Sequence, residues 1–214
     1  MKQNKKIIVM LLLAFIWNQI VYTGAKYIAL SFHHYDMTLA IDQWIPFCPQ
    51  SIVIYFGCYV FWIINYYLCA KQDNIDSSIF FTSDILSKAI CFIFFILIPT
   101  TNIRPDIVGN SFWDEAMRFL YQIDAPYNLF PSIHCLVSWL CWIGLRKRKD
   151  IPKTYKTFTL ILALLVCLST LMTRQHVIVD CISGIALAEF SYWFTKKTKI
   201  YLVYDKLIKN IKIR

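Results

Sequence analysis

Long apolar runs, separated by short polar or basic segments, make up most of this chain. Six runs are candidate membrane spans, at residues 7–27, 52–70, 85–99, 132–145, 158–172 and 177–194. A helix needs about 20 mostly apolar residues to cross a bilayer, and the longer runs reach that length. The pattern predicts an all-α fold, an integral membrane six-helix bundle that forms a single domain over residues 1–214.

The first run follows a basic N-terminal stretch, and two interpretations of it compete. Thr23-Gly24-Ala25 is similar to the small-residue cleavage site of a signal peptide. The apolar run, however, continues beyond a usual signal core and reaches the length of a span. We therefore favour an uncleaved first membrane helix.

Composition indicates a polytopic membrane protein and argues against other classes. Hydrophobic residues make up 58% of the chain and charged residues 16%, unlike a disordered or an ordinary soluble protein. The net charge of +9 does not predict a nucleic-acid partner, because the basic residues gather at the ends of apolar runs. These residues are Lys2, Lys5 and Lys6, the block 146–149, and a tail that starts at Lys196.

The basic residues also predict the orientation of the chain. Lys and Arg beside membrane spans are retained on the cytoplasmic side, so both termini are expected to be cytoplasmic in a multi-pass protein of the cell membrane. With alternating spans, Arg104, His134 and His176 then emerge together at the extracytoplasmic ends of the helices. Residues far apart in sequence thus reach one membrane depth, as a single site requires.

Three polar segments, residues 31–50, 71–83 and 100–128, are predicted to be connecting loops. Trp44 in the first favours a loop that lies on the membrane surface. Lys88, near the start of the third span, is expected to extend its side chain to the membrane interface. Glu189, about midway along the sixth span, has no evident partner and is interpreted as structural or lumenal.

Two groups of residues suggest metal or disulfide chemistry. His33, His34, Asp36 and Asp42 could bind a metal or a substrate, but adjacent histidines do not readily point the same way, so a solvated loop is favoured. Of the eight cysteines, seven fall within or at the edge of apolar segments and are expected to be buried thiols; Cys48 lies in a loop. No C-x-x-C pair is present, so a cysteine zinc site is not predicted.

The candidate chemistry lies between residues 128 and 180. His176 and Asp180 are four residues apart, so on a helix they share a face, where the carboxylate can accept the imidazole N–H. Ionisable groups beside apolar helices are costly unless they face a polar cavity. A cluster of His134, His176, Asp180 and a nearby arginine therefore indicates a functional site.

The order and spacing of these residues resemble the type 2 phosphatidic acid phosphatase superfamily. That family carries K-x6-R-P, then P-S-G-H, then S-R-x5-H-x3-D, on a bundle of six membrane helices. The matching residues here are Arg104-Pro105, then Pro131-Ser132-Ile133-His134, then Ser169 with His176 and Asp180.

The motifs also depart from the family pattern. Leu97 stands in place of the lysine, Ile133 in place of the glycine, and Thr170 in place of the arginine of the third motif. Arg174 could supply one of the two missing positive charges, and Lys26 or a loop residue could supply the other. Without the upstream arginine, the third motif is similar to the branch that contains sphingolipid synthases, which transfers head groups between lipids.

The resemblance implies an enzyme that hydrolyses a lipid phosphate, of the phosphatidic acid or polyprenyl diphosphate class, through a phosphohistidine and without a cofactor or metal. It implies His176 as nucleophile and Asp180 as the group that holds it. His134 is the implied general acid and base. The phosphate-binding residues implied are Arg104, Arg174 and Ser132.

Other readings of the same residues stay open. The protein could transfer a phospho-head group between lipids, or bind lipid without catalysis. His134, His176 and Asp180 could instead bind a metal. A transporter is less favoured, because the chain shows no duplicated hydropathy pattern. Expected partners are the lipid phosphate and membrane lipids, with no nucleic acid.

Overall fold

The structure, a computed structural model, describes residues 2–210, with side chains from residue 4 onward. The side chain of Lys2 and the end of the predicted domain, residues 211–214, lie outside the described part. Between residues 2 and 210 the chain forms eight α-helices: α1 (Lys2–Ala29), α2 (Ile52–Ala70), α3 (Asn74–Leu97), α4 (Phe112–Ile123), α5 (Ile133–Arg146), α6 (Lys153–Met172), α7 (Ile178–Thr198) and α8 (Tyr201–Asn210).

The prediction of a helical membrane protein is confirmed. Four helices, α1, α2, α3 and α6, are long and apolar enough to cross a bilayer. Two more elements of the predicted bundle, α5 with 14 residues and α7 with 21, are not among those four. The count of six spans therefore stays a prediction.

Helix α5 lies at the centre of the bundle, where it packs against α2, α3, α6 and α7. Its apolar residues are almost completely buried, for example Leu136 and Leu140 at 0% exposure. A helix of this length is more typical of a protein core than of a lipid-facing span. Because its neighbours surround it, α5 can be shorter than the bilayer is thick.

Helix α3 begins at Asn74, earlier than the predicted span 85–99 and within the predicted loop 71–83. Asp73 caps it, since its side chain accepts the backbone N–H of Asp76 at 2.8 Å. The expectation that Lys88 reaches the interface is wrong. Its side chain is only 3% exposed and pairs with Asp84 at 2.8 Å, because Asp84 one turn earlier faces the same buried surface.

Helix α4 lies within the segment 100–128, for which the sequence predicted a loop throughout. Ser111 and Asp114 form a capping box: the Ser111 N–H donates to Asp114 Oδ2 at 2.9 Å, and the Asp114 N–H donates to Ser111 Oγ at 3.3 Å. Met117 and Leu120 are fully buried and pack against the first turn of α2. This packing places the end of α4, and Asp124 after it, over the interior of the bundle.

Two short strands join the loops at the same end of the bundle. β1 (Tyr35–Asp36) pairs in parallel with β2 (Thr100–Thr101), and Tyr35 lies opposite Thr100. The Thr100 side-chain oxygen also accepts the N–H groups of Leu129 and Phe130, at 3.1 and 2.9 Å. The loops that precede α2, α4 and α5 are thereby connected.

Polar residues at the opposite end of the bundle are also paired. Glu189, which had no evident partner in the sequence, accepts two hydrogen bonds from Arg146, at 2.5 and 2.9 Å, and one from Trp139 Nε1 at 3.0 Å. Glu189 thus has two partners in the bundle, which agrees with its interpretation as a structural residue. All eight cysteines are free thiols and seven are buried, as predicted.

Helices α5 and α7 approach each other most closely at Gly184. The Ser132 N–H donates to the Asp180 carbonyl at 3.1 Å. A Cβ atom on Gly184 would lie 2.6 Å from the Ser132 carbonyl oxygen and 3.1 Å from the Leu136 nitrogen. Only glycine allows this approach, which brings His134 near the start of α7.

We expect Gly184→Ala to destabilise the protein by about 1–3 kcal/mol, because backbone atoms of α5 must shift to admit the methyl group. Gly57→Ala is a matched control, since nothing lies within 4 Å of a Cβ at that position. Thermal unfolding in detergent would compare the two. Equal melting temperatures for both variants would contradict the close approach.

The predicted orientation can be tested with single cysteines at Val108, which is 90% exposed, and at Lys149 on the surface loop before α6. Asp124 is unsuitable for labelling because its side chain is hydrogen-bonded inside the bundle. In a background with Cys48→Ser, a membrane-impermeant maleimide added outside cells should label position 108 and spare position 149. Labelling of position 149 from outside would reverse the orientation.

Candidate active site

A pocket of about 200 Å³ opens at the end of the bundle where α5 and α7 begin. Its lining combines polar and aromatic side chains from four helices and the loops between them. The lining residues are Asn18, Gln19, Tyr22, Tyr59, Trp62, Leu120, Ile123, Asp124, Tyr127, Asn128, Leu129, Ile133, His134, Gln175 and His176. Three of them belong to α1, so the first helix forms part of the pocket.

His176 lies in the tight turn that connects α6 to α7. The Thr170 carbonyl accepts the N–H groups of both Gln175 and His176, at 2.9 and 3.1 Å. Arg174 takes the left-handed conformation, with φ of 55°, which is uncommon for a residue with a side chain. Such conformations concentrate at functional sites, where surrounding contacts hold them in place.

The predicted pairing of His176 with Asp180 is present, although His176 precedes the helix. Asp180 is the third residue of α7, and its Oδ2 accepts the Val177 N–H at 3.0 Å. The same oxygen lies 3.2 Å from His176 Nδ1. One carboxylate therefore caps α7 and orients the imidazole.

The environment of His176 favours the protonated ring. Burial lowers the pKa of His176, but the hydrogen bond to Asp180 and the negative charge of that carboxylate outweigh burial and raise the pKa above its ordinary value. In the neutral ring, an Nδ1–H that donates to Asp180 leaves the lone pair on Nε2. A histidine nucleophile attacks through such an unprotonated ring nitrogen.

His134, in the first turn of α5, lies close to His176. Their ring centroids are 5.7 Å apart. Tyr55 and Trp62 of α2 pack against the His134 ring, with centroids at 4.6 and 5.5 Å. The Nε2 atom of His134 is buried and has no hydrogen-bond partner among the described residues. The structure thus brings both predicted catalytic histidines into one pocket.

Arg104 lies behind the pocket wall and not in the pocket lining itself. Its guanidinium donates to the Asp124 carbonyl at 2.5 Å and to Gln175 Oε1 at 2.6 Å, and it stacks 4.7 Å from the centroid of the Tyr121 ring. Its Nε and the Gln175 Nε2 are buried and have no partner within residues 2–210. Two buried donors beside the pocket therefore lack an acceptor within residues 2–210.

Asp124 lines the pocket, although no motif in the sequence predicted a role for it. Its two carboxylate oxygens accept the hydroxyl groups of Tyr22 and Tyr55. Burial raises the pKa of Asp124, but the charge of His134 and the two tyrosine hydroxyls outweigh burial and lower it below the ordinary value. The pocket is therefore lined by a carboxylate that is ionised at neutral pH. Asp180, a second carboxylate, lies nearby.

The predicted phosphate ligand Arg174 points away from the pocket. It donates to the carbonyls of Asp42 and Ile45, at 2.8 and 2.6 Å. Asp42, interpreted as a solvated loop residue, is only 1% exposed, and its Oδ1 accepts the Ile178 N–H at 2.8 Å. The loop between α1 and α2 thus stabilises the turn that carries His176. The sequence did not predict this role, because it depends on tertiary contacts.

Ser132, the other predicted phosphate ligand, caps α5. It is fully buried, and its Oγ accepts the Cys135 N–H at 3.3 Å. The two residues at the family's lysine and arginine positions are not in the pocket either: Leu97 is 72% exposed, and Thr170 is buried with its hydroxyl bonded to the Cys167 carbonyl. Lys26 lies at the pocket rim, 5.7 Å from the ring centroid of Tyr127.

Two groups of residues were considered as possible metal sites, one in the first loop and one at His134, His176 and Asp180. Within residues 2–210, no group of three or more His, Cys, Asp or Glu side chains is placed to hold a metal ion. In the first loop, His33 packs edge-on against Tyr35, while His34 bonds the Phe32 carbonyl. These two rings do not converge with His134, His176 and Asp180.

We expect Asp42→Ala to lower turnover about tenfold, because the N–H groups of Ile178 and Leu39 lose their buried acceptor and the His176 turn loosens. Asp36→Ala is the control, since Asp36 is an exposed carboxylate of the same loop. Turnover and thermal unfolding of both variants would be compared. Normal turnover in Asp42→Ala would show that the loop contact does not position His176.

The sequence was also compared with those of known proteins. The chain is 31% identical over 153 residues to an uncharacterised protein of Methanocaldococcus jannaschii, an alignment that covers 70% of this chain and 61% of that relative. The chain thus spans less than two thirds of the relative's length. No solved structure matches the chain. A family profile described as the PAP2 superfamily matches residues 6–194. Because this match includes both histidines, Asp180 and nearly all of the helical bundle, the chain belongs to the PAP2 superfamily, as its motifs predict.

Proposed function

We propose that this protein cleaves a phosphoester of a membrane lipid, of the phosphatidic acid or polyprenyl diphosphate class, with His176 as nucleophile. The observation that carries the proposal is the arrangement of His176. Its Nδ1 is held by Asp180, and its ring lines a pocket shared with His134. This combination of an oriented imidazole and a second histidine suits a covalent phosphohistidine mechanism.

The reaction proceeds in two steps. His176 Nε2 attacks the phosphorus, the bond from phosphorus to the lipid oxygen breaks, and protonated His134 gives that oxygen its proton. The neutral His134 then takes a proton from water, and the hydroxide displaces His176 from the phosphorus. Asp180 stabilises the positive charge that develops on His176 while the phosphohistidine forms and breaks.

Buried donors near the pocket support the binding of a phosphate. Arg104 Nε, Gln175 Nε2 and His134 Nε2 have no partner among the described residues. An unsatisfied buried donor costs about 1–3 kcal/mol, so these atoms are stabilised when an anion accepts from them. The Arg104 guanidinium is the cation best placed for this, because it is already bonded to two pocket residues, Asp124 and Gln175.

Transfer of a phospho-head group to an acceptor lipid is a second candidate, favoured by Asp124. A phosphomonoester carries close to two negative charges near neutral pH, and the carboxylate in the pocket repels it. A phosphodiester carries one charge, and a hydroxyl group on its head group or on the acceptor can donate to Asp124. The departures at Leu97 and Thr170, which remove two cations from the family pattern, act in the same direction.

One experiment separates hydrolysis from transfer. Purified protein in detergent is given dioleoyl phosphatidic acid, and phosphate release is measured; a phosphodiester lipid with labelled head group is then given with and without diacylglycerol as acceptor. Hydrolysis predicts phosphate release that is independent of the acceptor. Transfer predicts labelled product only when the acceptor is present. Absence of both reactions would contradict the proposed function.

A further inference from the structure

A second pocket, of about 420 Å³, lies at the end of the bundle opposite the catalytic pocket. It is formed by the C-terminal end of α5 and the second half of α7. Its lining consists of four basic residues, one acidic residue and two aromatic residues: Arg146, Lys147, Glu189, Tyr192, Trp193, Lys196 and Lys197. The proposed reaction uses none of these residues.

The charges in this pocket are unbalanced. Arg146 and Glu189 neutralise each other through two hydrogen bonds, at 2.5 and 2.9 Å. The three lysines form no ion pair with a carboxylate anywhere in the described part of the chain. The Lys197 ammonium lies 4.8 Å from the centroid of the Trp193 ring, which holds it near the pocket without removing its charge. The pocket therefore carries an excess of three positive charges and suits an anion.

The surface of α7 next to the pocket is apolar and exposed. Ile182, Phe190 and Trp193 are 62%, 47% and 54% exposed. Their spacing of eight and eleven residues places them on one face of the helix. This face runs from the second turn of α7 to the basic pocket. A ligand with a charged head and long apolar chains can therefore contact both parts at once.

The position of the pocket separates it from the catalytic site. Helix α7 has 21 residues, so its ends are about 30 Å apart, close to the thickness of the hydrocarbon core. Asp180 lies in its first turn, and Lys196 and Lys197 lie in its last turn. With α7 as the predicted sixth span, a lipid head group in the second pocket belongs to the opposite leaflet from a lipid head group beside His176.

We propose that the pocket of α5 and α7 binds the phosphate head group of an anionic phospholipid, with the acyl chains along the exposed face of α7. Basic pockets between membrane helices are suited to such head groups. The bound lipid fixes the ends of α5 and α7 relative to each other. The inference does not rest on the proposed reaction, because no residue of the second pocket takes part in it.

The test is native mass spectrometry of the protein released from detergent, with dioleoyl phosphatidylglycerol or dioleoyl phosphatidylcholine added at equal concentration. Wild-type protein should retain the anionic lipid about tenfold more. The double variant Lys196→Ala with Lys197→Ala should bind it about twenty- to thirtyfold more weakly, since each basic residue near an anionic lipid contributes a factor of about five. Lys196→Arg with Lys197→Arg should restore retention.

A matched control removes two lysines outside the pocket, Lys149→Ala with Lys153→Ala, and leaves the net charge equal to that of the test variant. Equal loss of lipid in both double variants would overturn the proposal, because nonspecific charge then explains binding. Unchanged retention in the Lys196 and Lys197 variant would overturn it as well, since the lipid then occupies another site such as the catalytic pocket. Displacement of the lipid by inorganic phosphate at the same concentration would assign the pocket to a soluble anion and not to a lipid.

Discussion

His176→Ala is expected to abolish turnover. The proposed reaction passes through a covalent bond between phosphorus and His176 Nε2, and alanine cannot form that bond. The variant should fold normally, since the α7 cap depends on Asp180 and the Val177 N–H and not on the imidazole. His33→Ala, which removes an exposed histidine of the first loop, is the control and should keep full activity. Rates with the lipid phosphate would be measured in the same detergent for both variants.

The covalent intermediate gives a second measurement of the same prediction. Wild-type protein quenched during turnover of a slow, phosphorus-labelled substrate should carry acid-labile, base-stable label on a peptide that contains His176. His134→Ala should retain the label for longer, because the group that activates water is missing. Label on a serine or threonine, or residual turnover in His176→Ala, would refute the assignment of the nucleophile.

Asp180→Asn is expected to lower the rate by about two to four orders of magnitude, the range for loss of a positioned acid–base partner. The amide keeps the size of the side chain but removes the charge that stabilises the imidazolium-like state. It can also present an N–H donor to His176 Nδ1, where an acceptor is required. Substrate affinity should change much less, because Asp180 contacts the ring and the Val177 N–H, not the lipid.

The pH profile separates this role from a purely structural one. The nucleophile must be neutral, so activity rises with pH through the pKa of His176, which Asp180 raises above the ordinary value of about 6.5. In Asp180→Asn this acidic limb should move to lower pH, since the carboxylate that raises the pKa is gone. A lower rate with an unmoved acidic limb, or near-normal turnover, would contradict the proposed role of Asp180.

The sequence was sufficient to predict the helical membrane fold and the pairing of His176 with Asp180. The long apolar runs have few alternatives, because a bilayer requires helices whose backbone groups are satisfied internally. The pairing depends on a local spacing of four residues, and the first turn of a helix allows it as readily as the interior does. Both predictions rest on short-range regularities that tertiary contacts do not alter.

Other parts of the site depend on contacts between distant segments, and there the sequence was less informative. Arg174 was predicted to bind phosphate from its position beside His176, but the carbonyls of Asp42 and Ile45 take its guanidinium. Asp42 was interpreted as a solvated loop residue, and Asp124 was not predicted to belong to the site, because nothing within their own loops distinguishes a buried carboxylate from a solvated one. The capping box of α4, by contrast, was readable in the sequence at Ser111 and Asp114.

The shared hydrogen bonds of Asp124 also constrain how the protein is made. Tyr22 is 102 residues ahead of Asp124, and His176 follows later still. At about 5–20 residues per second, the ribosome needs at least about 5 seconds after Tyr22 to produce its partner. During this interval the Tyr22 hydroxyl lacks the carboxylate that accepts its hydrogen bond in the folded protein. The contacts of the candidate site are therefore complete only when α7, which carries Asp180, has been synthesised.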